Sequence, residues 1–501
     1  MDAFQQTGLW HATLGEHEQD AHQEPRARLR AALVSFRAKA VLLASMIPED
    51  LKEFTTHDIS HSDGLWEMAD LIAGDDIELT PTEAFVIGGA FLTHDLGLAL
   101  AAYPAGLESL QKDDKWRDTI AALLRDLFGR PPSRAEIENP PDAVISLAKE
   151  IVLRELHSER ARCLLDVTWR DQDHDQTYRL LEDDDLRRDY GPLIGELAAS
   201  HGWSVSRLPA AFPTDLGAPT WCPPSWTIDP IKLAALLRVA DAAHLTAARA
   251  PAFLRALRRP TDPSRRHWIF QEHLQRPIVD GDRLKYTSTR PFPLSEAPSW
   301  WLCLDTLRMV DEELRQTAAL LGDLGKKRFN IRSVSHVESP ERLSTLIRTE
   351  GWLPVDTHVE VSDVASLIER LGGRELYGDD PTVPLRELIQ NGSDAVRARV
   401  ELGDIIREQG HVMVRLGVED GRHWVEVEDN GIGMSKEVLA GPLLDFGHSY
   451  WGSALMRKEL PGLLAKGFQP TGRYLDFRDS CCGGGPGTLH REDFRCGGLD
   501  Q

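Results

Sequence analysis

The sequence EAFVIGGAFLTHDLG (residues 83–97) decides the fold of the N-terminal half of the chain. Apolar residues and glycines run without a break from Ala84 to Leu92, and His94 and Asp95 follow almost at once. Such a run predicts a buried helix. Its end carries an imidazole and a carboxylate side by side, and both groups can bind one divalent cation.

The segments around this helix have the same character. Apolar positions recur at helical spacing, β-branched alternation is scarce, and proline-rich breaks separate the segments. This pattern predicts an all-α domain over residues 50–250, preceded by an N-terminal helical segment over residues 1–49. Imidazoles and carboxylates are costly to bury unpaired in such helices. The candidate metal ligands are His61, His94, Asp95, His157, His201 and Asp241.

Each of these residues, taken singly, fits a core or capping role better than metal ligation. Together, His61-Ser62, His94-Asp95-Leu96-Gly97 and Ala240-Asp241-Ala242 resemble the successive motifs of the HD phosphohydrolase superfamily. The resemblance implies one or two divalent metals (Mn, Fe or Co) in a helical bundle, and hydrolysis of a phosphate ester. His157 and His201 match the intervening histidines of the two-metal branches less closely, and His57 competes with His61 as first ligand.

The composition limits the classes of protein to which the chain can belong. Of 501 residues, 57 are Lys or Arg and 79 are Asp or Glu, which gives a net charge of −22. This balance argues against a dedicated nucleic-acid or membrane-surface binder. Six cysteines form no disulfide framework, the N-terminus does not resemble a signal peptide, and charged residues such as Arg37 and Lys39 interrupt the longest apolar stretches. A cytoplasmic protein without membrane spans is expected.

The character of the sequence changes after residue 250. HWIFQEHL (267–274) and DRLKYTSTRPF (282–292) predict short strands, and the stretch 300–324 predicts one long amphipathic helix. Residues 251–350 are therefore interpreted as a connector with little chemistry of its own.

A third section follows over residues 351–473. THVEVSD (357–363) predicts a strand, PLRELIQNGSDAVRARVEL (384–402) a helix, and residues 411–430 a hairpin, which together indicate an α+β layer. Glu387, Asn391 and Asp394 share one face of this helix. A carboxylate there can orient a water, and the Asn391 carbonyl can coordinate magnesium. Asp429 ends a strand just before Gly431 and Gly433.

PLRELIQNGSDAVRA and VEVEDNGIGMS resemble the N-box and the first glycine box of the GHKL ATPases, the class of type II topoisomerases, ninety-kilodalton heat-shock chaperones, histidine kinases and mismatch-repair proteins. The resemblance implies a Bergerat-type α+β domain, incomplete at its end, that binds ATP and Mg²⁺. The implied roles are Glu387 as catalytic base, Asn391 as magnesium ligand beside Asp394, Asp429 as adenine reader, Gly431 and Gly433 as the wall of the pocket, and Met434 as a neighbour of the base.

The resemblance ends at Arg473. Residues 474–501 hold three of the six cysteines and show neither helical nor strand periodicity, where a second glycine box is expected. A natural flexible tail is one interpretation; a frameshifted or truncated reading frame is the preferred one. The latter predicts an incomplete sheet, a disordered tail and weak or absent ATP hydrolysis.

The predicted protein is thus multidomain, with an all-α HD-type domain followed by a GHKL ATPase domain that governs it. Its expected partners are ATP and a phosphate ester, with a nucleotide among the candidates. The combination is similar to bacterial proteins that carry an HD domain ahead of a chaperone-like ATPase, which implies a role in stress or phage defence. A homodimer is left open. The alternatives are a non-enzymatic, chaperone-like ATP-binding clamp with a metal-stabilised helical scaffold, and an interaction protein in which both sites are degenerate.

Overall fold

The computed structural model describes residues 3–355, 382–443 and 449–471, except positions 19, 75, 76, 172, 175, 213, 263, 420 and 421. The chain divides into two compact units, Met1–Trp116 with Asp142–Glu360, and Arg117–Pro141 with Val361–Gln501. The first unit therefore extends well past residue 250. It includes both the region predicted as a connector and the N-terminal helical segment.

Helices dominate the described residues. The α-helices are α1 Gly8–Thr13, α2 Gln23–Ala44, α3 Ile47–Asp50, α4 Ile59–Ala73, α5 Pro81–Thr93, α6 Leu107–Gln111, α7 Asp114–Phe128, α8 Arg134–Glu138, α9 Asp142–Arg162, α10 Asp184–Ser200, α11 Leu208–Ala211, α12 Pro230–Ala243, α13 Ala252–Arg258, α14 Ser264–His273, α15 Ala297–Asp323, α16 Pro340–Leu343, α17 Val383–Leu402, α18 Lys436–Ala440 and α19 Ala454–Glu459. Short 3₁₀ turns include Leu96–Leu98 and Ala247–Arg249.

The strands of the first unit are short. They are β1 Trp169–Asp171, β2 Gln176–Tyr178, β3 Ile278–Asp280, β4 Arg283–Lys285, β5 Phe292–Pro293, β6 Ser333–Val334 and β7 Thr349–Glu350. β1 and β2 form an antiparallel hairpin, β4 pairs with β3 (antiparallel) and β6 (parallel), and β5 pairs with β7 (parallel). The hairpin β1–β2 lies within the domain predicted to be all-α, so that prediction holds for its helices and not for this insertion.

Helix α5 is the central helix of the first unit. It starts with a capping box between Thr80 and Glu83, has Pro81 in its first turn, and buries every side chain from Pro81 to Thr93. Its neighbours are α2, α4, α10 and α12. The sequence prediction of a buried helix over this stretch is confirmed, and His94 is its C-cap residue.

The other helices around α5 also bring polar residues to their ends. α4 is capped by Asp58 and carries His61 in its first turn. α10 ends at its C-cap residue His201, and α12 carries Asp241 in its last turn. Because the helix interiors are apolar and the ends are polar, packing these helices side by side gathers the polar residues at one place.

The strand predicted at residues 267–274 is wrong, because residues 267–273 belong to helix α14 and Leu274 forms only an isolated bridge with Ser288. Trp268, Ile269 and Phe270 suggest a strand by composition, but α14 packs them into the core beside α15. Tertiary packing has overridden the local β preference of these residues. The predicted long helix is confirmed as α15, and DRLKYTSTRPF contains the short strands β4 and β5 at its two ends.

Helices α2 and α3 together form a long apolar stretch. By length and hydropathy, Gln23–Asp50 is long and apolar enough to cross a membrane, and 33% of its most apolar window is buried in the fold. The apolar face of α2 packs against α5. Arg37 forms a two-pronged ion pair with Asp63 of α4, at 2.8 and 2.6 Å. The expected cytoplasmic location stays a prediction.

The second unit contains a helix and a hairpin at the places that the sequence indicates. Helix α17 lies beside the antiparallel strands β8 Val412–Glu419 and β9 Arg422–Asp429, which pair from Val412↔Asp429 to Glu419↔Arg422. A small core contains Ala121, Ala398, Met456, Leu463, Leu464 and Phe468. The strand predicted at 357–363 and the tail predicted after 473 lie outside the described residues.

Candidate metal centre

Asp95 lies at the middle of a cluster of histidines. Its Oδ2 is 3.3 Å from Nε2 of His94 and 3.4 Å from Nε2 of His61. Its other oxygen, Oδ1, is 3.8 Å from Nε2 of His157. The two oxygens of one carboxylate therefore face two different groups of side chains.

The first group consists of His61, His94 and Asp241. Nε2 of His61 is 3.2 Å from both Nε2 of His94 and Oδ1 of Asp241, and the last two atoms are 3.7 Å apart. Ligand atoms at about 2.1 Å from one ion lie about 3.0–3.4 Å from each other in octahedral or tetrahedral geometry. The observed spacing is close to this range, so the group can hold a metal ion.

The second group consists of His157, His201 and Asp95. Nε2 of His157 is 2.9 Å from Nε2 of His201, and the three ligand atoms lie within 4.8 Å of one another. The side chains of His157, Asp95 and Asp241 are 23%, 16% and 27% exposed, whereas His61 and His94 are almost completely buried. Solvent therefore reaches the cluster on the side of Asp241 and His157.

Three of the histidines are held in the same ring orientation by their own helices. Nδ1 of His94, His157 and His201 donates to the carbonyl three residues earlier, at 3.0, 2.6 and 2.5 Å. Because a carbonyl only accepts, Nδ1 carries a proton in each of the three rings, and Nε2 is the nitrogen that faces the cluster. Metal-binding histidines are commonly oriented by such a bond at the second nitrogen.

The electrostatic environment of the cluster favours a positive charge. Burial opposes protonation of His94, but the carboxylates of Asp95 and Asp241 outweigh it and raise the pKa of His94 to about 10. Burial and the neighbouring histidines lower the pKa of His201 to about 4, so its lone pair is available at neutral pH. A cation between these groups is thus stabilised by both carboxylates, which is the environment that a divalent metal needs.

All six predicted side chains of the helical domain are brought together in this cluster. His57, the competing candidate for His61, points elsewhere: its Nδ1 donates to the Thr55 carbonyl at 2.8 Å, and its Nε2 accepts from Arg249 at 2.7 Å. Helix α4 begins at Ile59, so His57 lies before the helix that carries His61.

Two residues at the cluster were missed by the sequence analysis. Nδ1 of His244 lies 2.8 Å from Nδ1 of His61, and the buried Arg249 donates to the carbonyl of His244 at 3.2 Å. In the sequence, His244 follows Asp241 by three residues at a helix end, and this spacing could have indicated that the two side chains are neighbours. The sequence gives no comparable signal for Arg249.

Arg238 connects the helix of Asp241 to the loop of His201. Its guanidinium pairs with Glu313 at 2.6 and 3.0 Å and also donates to the carbonyls of Ser200, His201 and Trp203, at 2.7, 3.1 and 2.5 Å. The side chain is only 7% exposed. Arg238 therefore fixes the distance between one member of each metal-binding group.

Replacing Arg238 by glutamine is expected to lower the free energy of unfolding by about 3–5 kcal/mol, because it leaves Glu313 and three carbonyls without their buried partner. Urea denaturation measures the effect. The matched control is Arg315→Gln, which breaks an ion pair with Asp311 one turn earlier in α15. The Arg315 side chain is 56% exposed, so the change should cost about 0.5 kcal/mol or less. Equal losses for the two variants would contradict the role given to Arg238.

The predicted ATP-site residues lie in the second unit. Glu387 and Asn391 are exposed on α17, whereas Asp394 is buried and accepts hydrogen bonds from the backbone N–H and the hydroxyl of Thr471, at 2.8 Å each. Asp429 ends β9 next to α17: a Cβ added at Gly392 would lie 3.3 Å from Cβ of Asp429. The two predicted motifs are therefore neighbours in space.

The glycines after Asp429 have different surroundings. A Cβ at Gly431 would lie 2.5 Å from the carbonyl carbon and Cβ of Ala395 in α17, so packing alone requires glycine there. Gly433 has φ = +70°, a conformation that favours glycine. Met434 is 58% exposed.

A helical unit with histidines and aspartates in this arrangement is an HD-type domain. Residues 51–316, a little over half of the chain, match the HD-CE family, and the chain belongs to that family. The match includes all six predicted ligands and ends before the second unit's strands β8 and β9. No curated protein and no solved structure matches the chain.

Proposed function

We propose that the first unit is a metal-dependent phosphohydrolase that acts on a phosphate ester, with nucleotides as the first class of substrate to test. The observation that carries this proposal is the position of Asp95, whose two oxygens face two separate groups of nitrogen and oxygen ligands. A carboxylate in that position is suited to bridge two ions. Paired metals are a recurrent device for hydrolysing phosphate esters.

Six side chains would hold the two proposed ions. His61, His94 and Asp241 would hold one ion, His157 and His201 the other, and Asp95 both. Mixed imidazole and carboxylate ligands suit Mn, Fe or Co. Such metals would lower the pKa of a coordinated water and neutralise charge on a phosphate. The chain itself fixes the ring orientations of the ligands through backbone carbonyls and leaves the face of Asp241 and His157 open to substrate.

Arg249 supports an anionic substrate. Its guanidinium is buried beside the cluster, and among the residues that the structure describes no carboxylate lies within ion-pair distance of it. Burial lowers the pKa of Arg249, and the more distant Asp241 and Asp95 raise it. Because metal ions would neutralise those two carboxylates, a phosphate is the natural counter-charge for this cation.

The proposal is tested by metal analysis of the purified protein, followed by a screen for phosphate release from nucleotides and other phosphate esters after addition of Mn²⁺, Fe²⁺ or Co²⁺. Chelation should abolish activity and metal addition should restore it. His94→Ala serves as the inactive control. A wild-type protein that binds none of these ions in calorimetry would contradict the proposal.

For the second unit we propose ATP and Mg²⁺ binding of the GHKL type, with Glu387 as base, Asn391 and Asp394 at the magnesium side, and Asp429, Gly431, Gly433 and Met434 at the adenine side. The contact between Gly392 and Asp429 favours this, because it brings the two motifs together. Both carboxylate oxygens of Asp394 already accept from the backbone N–H of Thr471, so we propose that Asp394 does not bind Mg²⁺ directly.

Asp429→Asn is expected to weaken ATP binding about tenfold or more, because an amide accepts more weakly than a carboxylate and its NH₂ opposes the donor on adenine. Calorimetric titration with ATP and Mg²⁺ measures the effect. Glu428→Gln, an exposed position one residue earlier that pairs with Arg415, is the matched control. Unchanged ATP affinity in Asp429→Asn would contradict the role of Asp429 as adenine reader.

A chaperone-like ATP-binding clamp with a metal-stabilised helical scaffold is the competing proposal. It predicts metal binding without phosphate release, so the substrate screen separates the two. We further propose a role in stress or phage defence, a cytoplasmic location and a homodimer.

A further inference from the structure

The four histidines of the cluster do not share the same partner for Nδ1. In His94, His157 and His201 this nitrogen donates to a carbonyl of the same helix. His61 lies in the first turn of α4, and the carbonyl three residues earlier, that of Asp58, accepts its backbone N–H at 3.0 Å. Its Nδ1 instead meets Nδ1 of His244 at 2.8 Å.

The direction of this hydrogen bond decides whether His61 can bind a cation. One of the two Nδ1 atoms must donate and the other accept. If His61 donates, its Nε2 carries a lone pair that faces Asp241 and His94. If His244 donated, the neutral ring of His61 would carry its proton on Nε2, and that proton would point at the other ligand atoms.

His244 is held firmly in its place. It is buried, and its ring stacks on that of His61 with centroids 5.1 Å apart and an angle of 13°. A Cβ at Gly64 would lie 2.4 Å from two atoms of the His244 ring, so glycine at this position makes room for it. The backbone N–H of His244 donates to the carbonyl of Asp241, and its carbonyl accepts from Arg249, at 3.2 Å each.

We propose that His244 is a positioning residue that accepts the Nδ1 proton of His61 and thereby keeps Nε2 of His61 free for the metal. For His61 the acceptor is His244 at the end of α12, whereas each of the other three histidines donates to a carbonyl of its own helix. The inference rests on the proposed metal centre. Loss of such a hydrogen bond behind a metal ligand costs about 10–100-fold in metal affinity.

The test compares His244→Asn with His244→Leu in the full chain. The two side chains have nearly the same shape, but only asparagine offers an oxygen that can accept from His61. After chelation, each protein is titrated with Mn²⁺ in a calorimeter, and the visible spectrum of the Co²⁺ form is recorded. We expect His244→Leu to lose about 10–100-fold in affinity and to change the Co²⁺ spectrum, while His244→Asn stays within a few-fold of the wild type.

The outcomes distinguish a failure of the proposed metal centre from a failure of the role given to His244. No Mn²⁺ binding by the wild type would contradict the metal centre itself. Wild-type affinity in His244→Leu, or the same loss in both variants, would overturn the role of His244 as acceptor. Unfolding midpoints measured in chelator show whether the variants fold equally well. If His244→Leu does not fold, Gly64→Ala replaces it: the added methyl displaces the His244 ring, the same loss is expected, and unchanged affinity would overturn the inference.

Discussion

Asp95→Asn is expected to reduce kcat/KM of the proposed phosphohydrolase on the order of 10³-fold or more, because metals held by this carboxylate would contribute several kcal/mol and each 1.4 kcal/mol is a factor of ten. An amide keeps the shape of the carboxylate but presents only one neutral oxygen. It cannot serve both groups of ligands, which Oδ1 and Oδ2 of Asp95 face separately.

The measurement combines initial rates with metal content determined by elemental analysis, so that a loss of activity is tied to a loss of metal. The control is Asp50→Asn, which changes a carboxylate that binds Lys149 and the backbone of Leu100 in the same unit. This variant should lose stability and keep its metal. Full metal content together with near wild-type activity in Asp95→Asn would contradict the bridging role.

In the proposed two-metal site, Gly97→Ala is expected to remove the ion held by His157 and His201 and to leave the ion held by His61, His94 and Asp241. A Cβ at residue 97 would lie 2.4 Å from the carbonyl oxygen and 2.8 Å from Cα of His157, which are backbone atoms that cannot rotate away. The turn after Asp95 and helix α9 must therefore move apart. His157 then leaves Asp95 and His201, whereas His61, His94 and Asp241 belong to other helices.

The expected readouts are a metal stoichiometry that falls from two to one and a loss of about 1–3 kcal/mol in the free energy of unfolding from overpacking. Gly217→Ala is the matched control, because an added Cβ there meets no atom within 4 Å. Two equivalents of Mn²⁺ bound to Gly97→Ala with wild-type affinity would show that the approach of the turn to α9 is unimportant for the site.

The helical unit and its cluster could be predicted because they rest on long apolar helices. The helical spacing of apolar residues in α4, α5, α10 and α12 is visible in the sequence. The polar residues near the helix ends are conspicuous because they interrupt this pattern. The grouping of ligands around the two oxygens of Asp95 could not be predicted, because it depends on how five helices pack. The contact of His244 with His61 could not be predicted for the same reason, because the two residues come from different helices.

The prediction failed where composition was the only guide. Residues 267–274 have aromatic and β-branched side chains, yet their burial beside α15 stabilises a helix. The predicted domain boundaries stay predictions; helix α15, from the region predicted as a connector, packs against α12 of the helical domain. In the second unit, α17 and the hairpin β8–β9 followed from clear periodicity and from the turn sequence.

The helix-end location of the ligands has a consequence for folding. The cluster takes side chains from α4, α5, α9, α10 and α12, which are spread along the chain from residue 61 to residue 241. An ion bound there would cross-link parts of the chain that are far apart in sequence. Closing such large loops costs conformational entropy. The ion binds only the folded form, so its free concentration sets how much the native state gains. The availability of metal in the cell would then govern the lifetime of this protein as well as its chemistry.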